Sequence, residues 1–186
     1  GPDYSRPVPL GEAVDKEAWF ADAVFIGDSR TANFRDLGFM PASRCYAFGG
    51  GCFAWYNNAR LAAEQHPAKA VFFAGMNELG IYKGDPEPFR EDYVALIRYF
   101  LELSPDTVIY LNKIIPANEK AIEEYPGRAK VDVYNSLIEE LCDEYGWICI
   151  DTSEGFSSEY YVYDGVHFTV SWYTAWWKNL RKEVGF

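Results

Sequence analysis

The chain has 186 residues, 49% of them hydrophobic and 24% charged, with a formal net charge of −11. That balance fits one globular domain with a full core and lies far from the composition of a disordered chain. The negative charge argues against nucleic acid as a partner, because a phosphate backbone is bound through clustered Lys and Arg, and it disfavours an anionic membrane surface on the same ground.

No signal peptide or long apolar span is present. Gly1-Pro2 matches the remnant of a protease-cleaved tag, and Asp3 to Leu10 is polar and rich in proline. Residues 1–15 are therefore expected to be tag remnant and tether, and residues 16–186 a single domain. An export signal or anchor upstream of such a tether gives the expectation of an extracellular or cell-surface protein, with a cytoplasmic one left open.

After a lead-in at Lys16 to Ala23, the apolar run Val24 to Gly27 reads as a first strand. Thr31 to Leu37 reads as a helix, Arg44 to Phe48 as a second strand, and Gly49-Gly50-Gly51 follows it. Three glycines at a strand end mean a sharp bend or a close backbone approach. Phe53 to Gln65 reads as a helix, and Lys69 to Ala74 as a strand buried on both faces. In Pro86 to Leu103, Tyr93, Leu96, Ile97 and Phe100 recur at helical spacing. Thr107 to Leu111 is the fourth strand. Asn112 to Arg128 is a long loop with a helical turn near Glu119 to Glu124. Lys130 to Tyr145 is a helix, Trp147 to Asp151 the fifth strand, and Val170 to Val184 a closing helix rich in Trp. Strands alternating with helices, without a tight hairpin signal, predict a flavodoxin-like three-layer α/β/α sandwich. Its five-stranded parallel sheet has the expected order 2-1-3-4-5, with sites at the carboxyl edge.

Cys45, Cys52, Cys142 and Cys149 form no CxxC pair and are read as buried free thiols, with disulfides left open. No HExxH or Cys/His cluster points to a metal, and no phosphate-binding Gly-rich lysine motif follows the first strand. No cofactor is expected. Lys113 is read as a solvated lysine near a strand end.

Chemistry concentrates at Gly27-Asp28-Ser29. A serine at a strand-to-helix turn presents its hydroxyl at the sheet edge, and the helix start offers N–H groups to an oxyanion. A serine hydroxyl needs a base. Of the two histidines, His66 precedes a proline at the far edge and reads as a surface residue. His167 lies in Asp164-Gly165-Val166-His167, where Asp164 can hold its second ring nitrogen. Asp28 reads as a turn-stabilising residue.

These blocks resemble the GDSL, or SGNH, hydrolase family. Gly27-Asp28-Ser29 looks like the first block, with Ser29 as nucleophile. The glycines after strand two look like the second, which implies an oxyanion N–H from Gly50, or as second choice Gly51. Gly75-Met76-Asn77-Glu78 resembles the third, which implies an oxyanion donor in Asn77. Asp164-x-x-His167 resembles the last, implying a Ser29–His167–Asp164 triad. Glu78 stands where the family has Asp, a position that braces the loop. Arg30 has two readings, contact with a polar or acidic substrate group or an ion pair on the surface, and the second is favoured. Tyr160, Tyr161, Tyr163, Trp172 and Trp176 could line a cleft, with Tyr163 and Trp172 as substrate contacts. The resemblance implies a serine esterase acting on a small-molecule or glycan ester, first of all a carbohydrate O-acetylesterase. The alternatives are an extracellular O-acetyltransferase acting on cell-wall polysaccharide and a non-catalytic carbohydrate-binding module.

Overall fold

The computed structural model describes residues 20–49 and 56–184. The expected tether at residues 1–15, Gly50, Gly51, Cys52 and the start of the Phe53 helix lie outside the described residues.

Five parallel strands form one sheet: β1 (Ala23–Gly27), β2 (Cys45–Ala47), β3 (Lys69–Phe73), β4 (Val108–Asn112) and β5 (Ile148–Ile150), in the order β2-β1-β3-β4-β5. Gly27 pairs beside Ala47 on one side and Phe73 on the other, so the first three strands end level with one another. The helices are α1 (Ser29–Asp36), α2 (Tyr56–Ala63), α3 (Met76–Ile81), α4 (Pro86–Leu103), α5 (Glu119–Glu124), α6 (Val131–Tyr145) and α7 (Val170–Val184).

Strand side chains alternate between two cores, as a period of two requires. Val24, Ile26, Ala70, Phe72, Ile109 and Leu111 meet buried residues of α2, α4 and α6. Phe25, Val71, Phe73, Tyr110 and Ile150 meet Phe34 of α1 and the aromatic face of α7 on the other side. That second core is rich in rings: Trp172 stacks on Trp176 at 5.4 Å and on Phe168 at 4.0 Å. Trp172 and Trp176 are therefore core residues, not walls of a substrate cleft, because their indoles fill the layer between α7 and the sheet.

Local chemistry sets the element ends. Asp28 caps α1, its Oδ1 accepting the Arg30 N–H at 2.9 Å, so the helix starts at Ser29 rather than at Thr31. Gly27 is forced by close approach: a Cβ there would lie 2.2 Å from the Phe73 carbonyl oxygen. Asp85 caps α4 and a proline opens it, and Gly146 ends α6 in the left-handed region. The α3 turn was not expected as a helix; six residues carry too little periodicity to show it. Lys130 belongs to a 3-10 segment, Pro126–Lys130, and α6 begins one residue later.

Candidate active site

The carboxyl edge brings together residues far apart in sequence. Ser29 opens α1 directly after β1, with its side chain half-buried. His167 lies in the turn before α7, and its Nε2 is 2.7 Å from Ser29 Oγ across 138 positions. Its Nδ1 is 2.6 Å from Asp164 Oδ2. An ionised carboxylate only accepts, so the proton sits on Nδ1 and the Nε2 lone pair faces the serine hydroxyl. The other oxygen, Asp164 Oδ1, accepts the backbone N–H of Val166 at 2.8 Å and of His167 at 2.9 Å. Partial burial works to raise the Asp164 carboxyl, but the hydrogen bonds from the His167 ring and from these two N–H groups outweigh it. The group is held below its ordinary value.

The histidine turn is built as a small hairpin. Tyr161 and Phe168 bridge antiparallel, and the Val162 N–H donates to the His167 carbonyl at 2.9 Å. Gly165 sits at φ +70°, and a Cβ there would fall 1.9 Å from the Asn118 side-chain oxygen, so only glycine fits. The Asn118 N–H in turn donates to the Gly165 carbonyl at 2.9 Å, tying the turn to the start of α5.

Arg30 corrects both of its sequence readings. It is buried, neither a surface ion pair nor open to substrate. Its Nε donates to the Val166 carbonyl at 2.9 Å, its Nη1 to Ile115 at 2.5 Å and its Nη2 to Pro116 at 3.4 Å. The guanidinium also lies 4.4 Å over the Phe168 ring. Burial lowers its pKa to about 10, with the Asp28 carboxylate opposing the shift, so it stays charged at neutral pH. Burial likewise pushes the Asp28 carboxyl up, and Arg30 pulls against that. The sequence held no sign of this, because an arginine after the serine looks the same whether it points out or back across the sheet edge.

Asn77 stands in the first turn of α3, half-buried, in the helix that follows β3, the strand paired with the β1 that leads into Ser29. It lines a cleft with Gly80, Ile81, Tyr125 and Arg128. Glu78 beside it is fully buried. Gly49 also reaches the site: a Cβ on it would lie 3.9 Å from Ser29 Cβ, so this glycine, not singled out in the sequence, passes beside the serine. Tyr163 is 87% exposed next to Asp164, whereas Tyr161 is tied down through its hydroxyl, which donates to the Pro116 carbonyl at 2.5 Å. His66 is exposed on the turn before β3, and Lys113 pairs with Glu139 rather than standing solvated. Cys45 and Cys142 are buried and Cys149 half-buried, all three free thiols. Among the described residues no group of three or more His, Cys, Asp or Glu could hold a metal, and no helix is long and apolar enough to cross a membrane.

Known structures share this fold. A protein described as a platelet activating factor from Streptococcus pneumonia superimposes with a TM-score of 0.70 at 21% identity, over 87% of this chain and 82% of that one. A lipase/acylhydrolase from Enterococcus faecalis gives 0.67 at 17% identity, over 87% and 94%. A carbohydrate esterase family 3 protein from Talaromyces cellulolyticus gives 0.65 at 15% identity, over 87% and 95%. No curated protein matches the sequence significantly. Residues 25–175 match the GDSL-like Lipase/Acylhydrolase family from the first strand into the last helix, and the chain belongs to that family of ester hydrolases.

Proposed function

We propose that the protein hydrolyses O-acyl esters, carbohydrate O-acetyl esters first among them, through a Ser29–His167–Asp164 triad. The observation that carries this is the unbroken chain from Ser29 Oγ through both ring nitrogens of His167 to Asp164. Ser29 Oγ attacks the ester carbonyl as its proton passes to His167 Nε2. The resulting oxyanion takes hydrogen bonds from the Ser29 N–H, from the Asn77 amide and from an N–H of the run Gly49-Gly50-Gly51, with Gly50 favoured and Gly51 second. Collapse breaks the bond to the alcohol, which leaves with the proton from His167. Water, deprotonated by the same histidine, then releases the acid and restores the serine. Asp164 keeps the ring in the required tautomer. The open edge beside Tyr163 and the fold shared with a carbohydrate esterase support a sugar ester as substrate.

The test is turnover of p-nitrophenyl acetate and of an O-acetylated oligosaccharide by the wild type, Ser29→Ala, His167→Ala and Asn77→Ala. Ser29→Ala and His167→Ala are expected at background, and Asn77→Ala about a hundredfold or more below wild type. A wild type no faster than Ser29→Ala on both substrates overturns the reading.

A further inference from the structure

Beside Asn77 is a surface that ester cleavage itself does not require. α3 and the segment after α5 face each other across a cleft of about 280 Å³ lined by Asn77, Gly80, Ile81, Tyr125 and Arg128. A second depression, of about 470 Å³, shares Gly80 and Tyr125 and adds Lys83 and Lys130. Asn77, a proposed oxyanion donor, lines the same cleft as Arg128.

The local charge is opposite to that of the chain. The sequence has 28 acidic against 17 basic residues. The two depressions nevertheless carry Lys83, Arg128 and Lys130 and no carboxylate in their lining. Glu123 and Glu124 precede Tyr125 but are not in either lining. None of the three cations is in an ion pair with a described residue.

Arg128 is fixed by one edge and open by the other. Its Nη1 donates to the Ala121 carbonyl at 3.0 Å, and its guanidinium lies 4.5 Å over the Tyr125 ring. Its Nε is buried with no hydrogen-bond partner among the described residues, and Nη2 makes no hydrogen bond there either. Nη2, unlike Nε, is not buried, and a guanidinium N–H to a carboxylate oxygen is a strong, charge-assisted hydrogen bond. An accessible guanidinium donor without a partner, beside two lysines and no carboxylate, suits an anionic group.

We propose that this cleft recognises a carboxylate on the substrate, so that the natural ester is an acidic one, such as an O-acylated uronic acid. Arg128 binds the carboxylate through Nη2, Lys83 and Lys130 attract it, and Ile81 and Tyr125 flank its ring. The inference rests on the ester-hydrolase reading above and names the substrate class of that site.

The experiment compares kcat/KM for three O-acetylated methyl glycosides: a glucuronide, a glucoside and a glucoside 6-phosphate. The wild type is expected to favour the glucuronide over the glucoside by tenfold or more at low salt, with the preference falling as salt rises. Arg128→Gln should reduce that ratio to near unity. Lys130→Gln and Lys83→Asn, the latter suited to the left-handed backbone at that position, should reduce it two- to fivefold. Equal rates on glucuronide and glucoside, or a preference that survives Arg128→Gln, overturn the proposal. A tenfold preference for the phosphate over the glucuronide overturns the carboxylate assignment. Binding of unacetylated methyl glucuronide and methyl glucoside to Ser29→Ala protein by calorimetry gives a readout without turnover. Tighter binding of the acid, lost in Ser29→Ala/Arg128→Gln, supports the cleft even where no ester is cleaved; equal binding overturns it. Absence of any wild-type turnover, by contrast, counts against the esterase reading alone. Thermal melting of each variant separates loss of recognition from loss of fold.

Discussion

Arg30 Nε donates to the Val166 carbonyl at 2.9 Å, one residue before His167, while Arg30 itself follows Ser29. The residue after the serine thus grips the residue before the histidine. Its other nitrogens hold the Ile115 and Pro116 carbonyls, so two distant segments converge on one guanidinium. Arg30→Met leaves these carbonyls without a charged donor. It is expected to lower kcat by tenfold or more with little change in KM, and to cost about 1–3 kcal/mol of stability for each buried acceptor left unpaired. Arg30→Lys restores the charge but not the fork, so it should recover stability better than rate. Steady-state kinetics beside denaturant unfolding measures both, and a variant with wild-type kcat rules out a positioning role.

Asp164→Asn removes the carboxylate that orients His167 while conserving shape. A loss of about 10²–10⁴ in kcat is expected with the fold unchanged by circular dichroism. The carboxyl also carries a pH signature. Its folded pKa lies below the ordinary value of 3.8. The stabilisation from its ionised form is therefore complete above the unfolded value and is lost as pH falls through the folded one. The stability gap between wild type and Asp164→Asn should be constant near neutrality and close only in strong acid. A gap that closes already between pH 5 and pH 7 contradicts the assignment.

Gly165→Ala tests the histidine turn from the backbone. Its φ of +70° disfavours any side chain, and the added methyl would overlap Asn118. Activity is expected to fall at least tenfold, and Asn118→Ala in the same chain should not restore it, because the backbone strain remains. Full rescue by the second substitution would show that crowding alone matters.

Alkylation distinguishes the thiols. A hydrogen bond from Cys142 lowers the Cys149 pKa, with Lys113 assisting and partial burial opposing. The same contact, with burial, pushes Cys142 up. Burial raises Cys45 to about 12. Iodoacetamide at pH 7.5 should therefore modify Cys149 ahead of Cys142 and Cys45, as read by peptide mass spectrometry. First labelling at Cys45 would refute this order.

Much of the fold could be read from the sequence because its elements are long or terminate in strong signals. Pro86–Leu103 and Val170–Val184 have the predicted bounds, and the sheet order follows from strict alternation of strands and helices. Ser29 is legible as the serine of a strand-to-helix turn and His167 as one of only two histidines, three residues after Asp164, and the structure places them in mutual reach. The environment of Arg30 was not legible, since burial of a guanidinium depends on carbonyls supplied by residues 85 and 136 positions away. Trp172 and Trp176 misled for a related reason. Aromatic rings beside a site look alike in sequence whether they face a ligand or a sheet, and only the rotation of α7 decides.

The distance between Ser29 and His167 along the chain, 138 positions, also has a meaning in time. At a synthesis rate of about 5–20 residues per second, the serine leaves the ribosome roughly 7–28 s before the histidine. Throughout that interval the nascent polypeptide carries a hydroxyl no more reactive than any other serine. On the proposed triad the hydrolase is switched on late, by the arrival of the loop that carries His167, so a message truncated before that loop yields a chemically silent product.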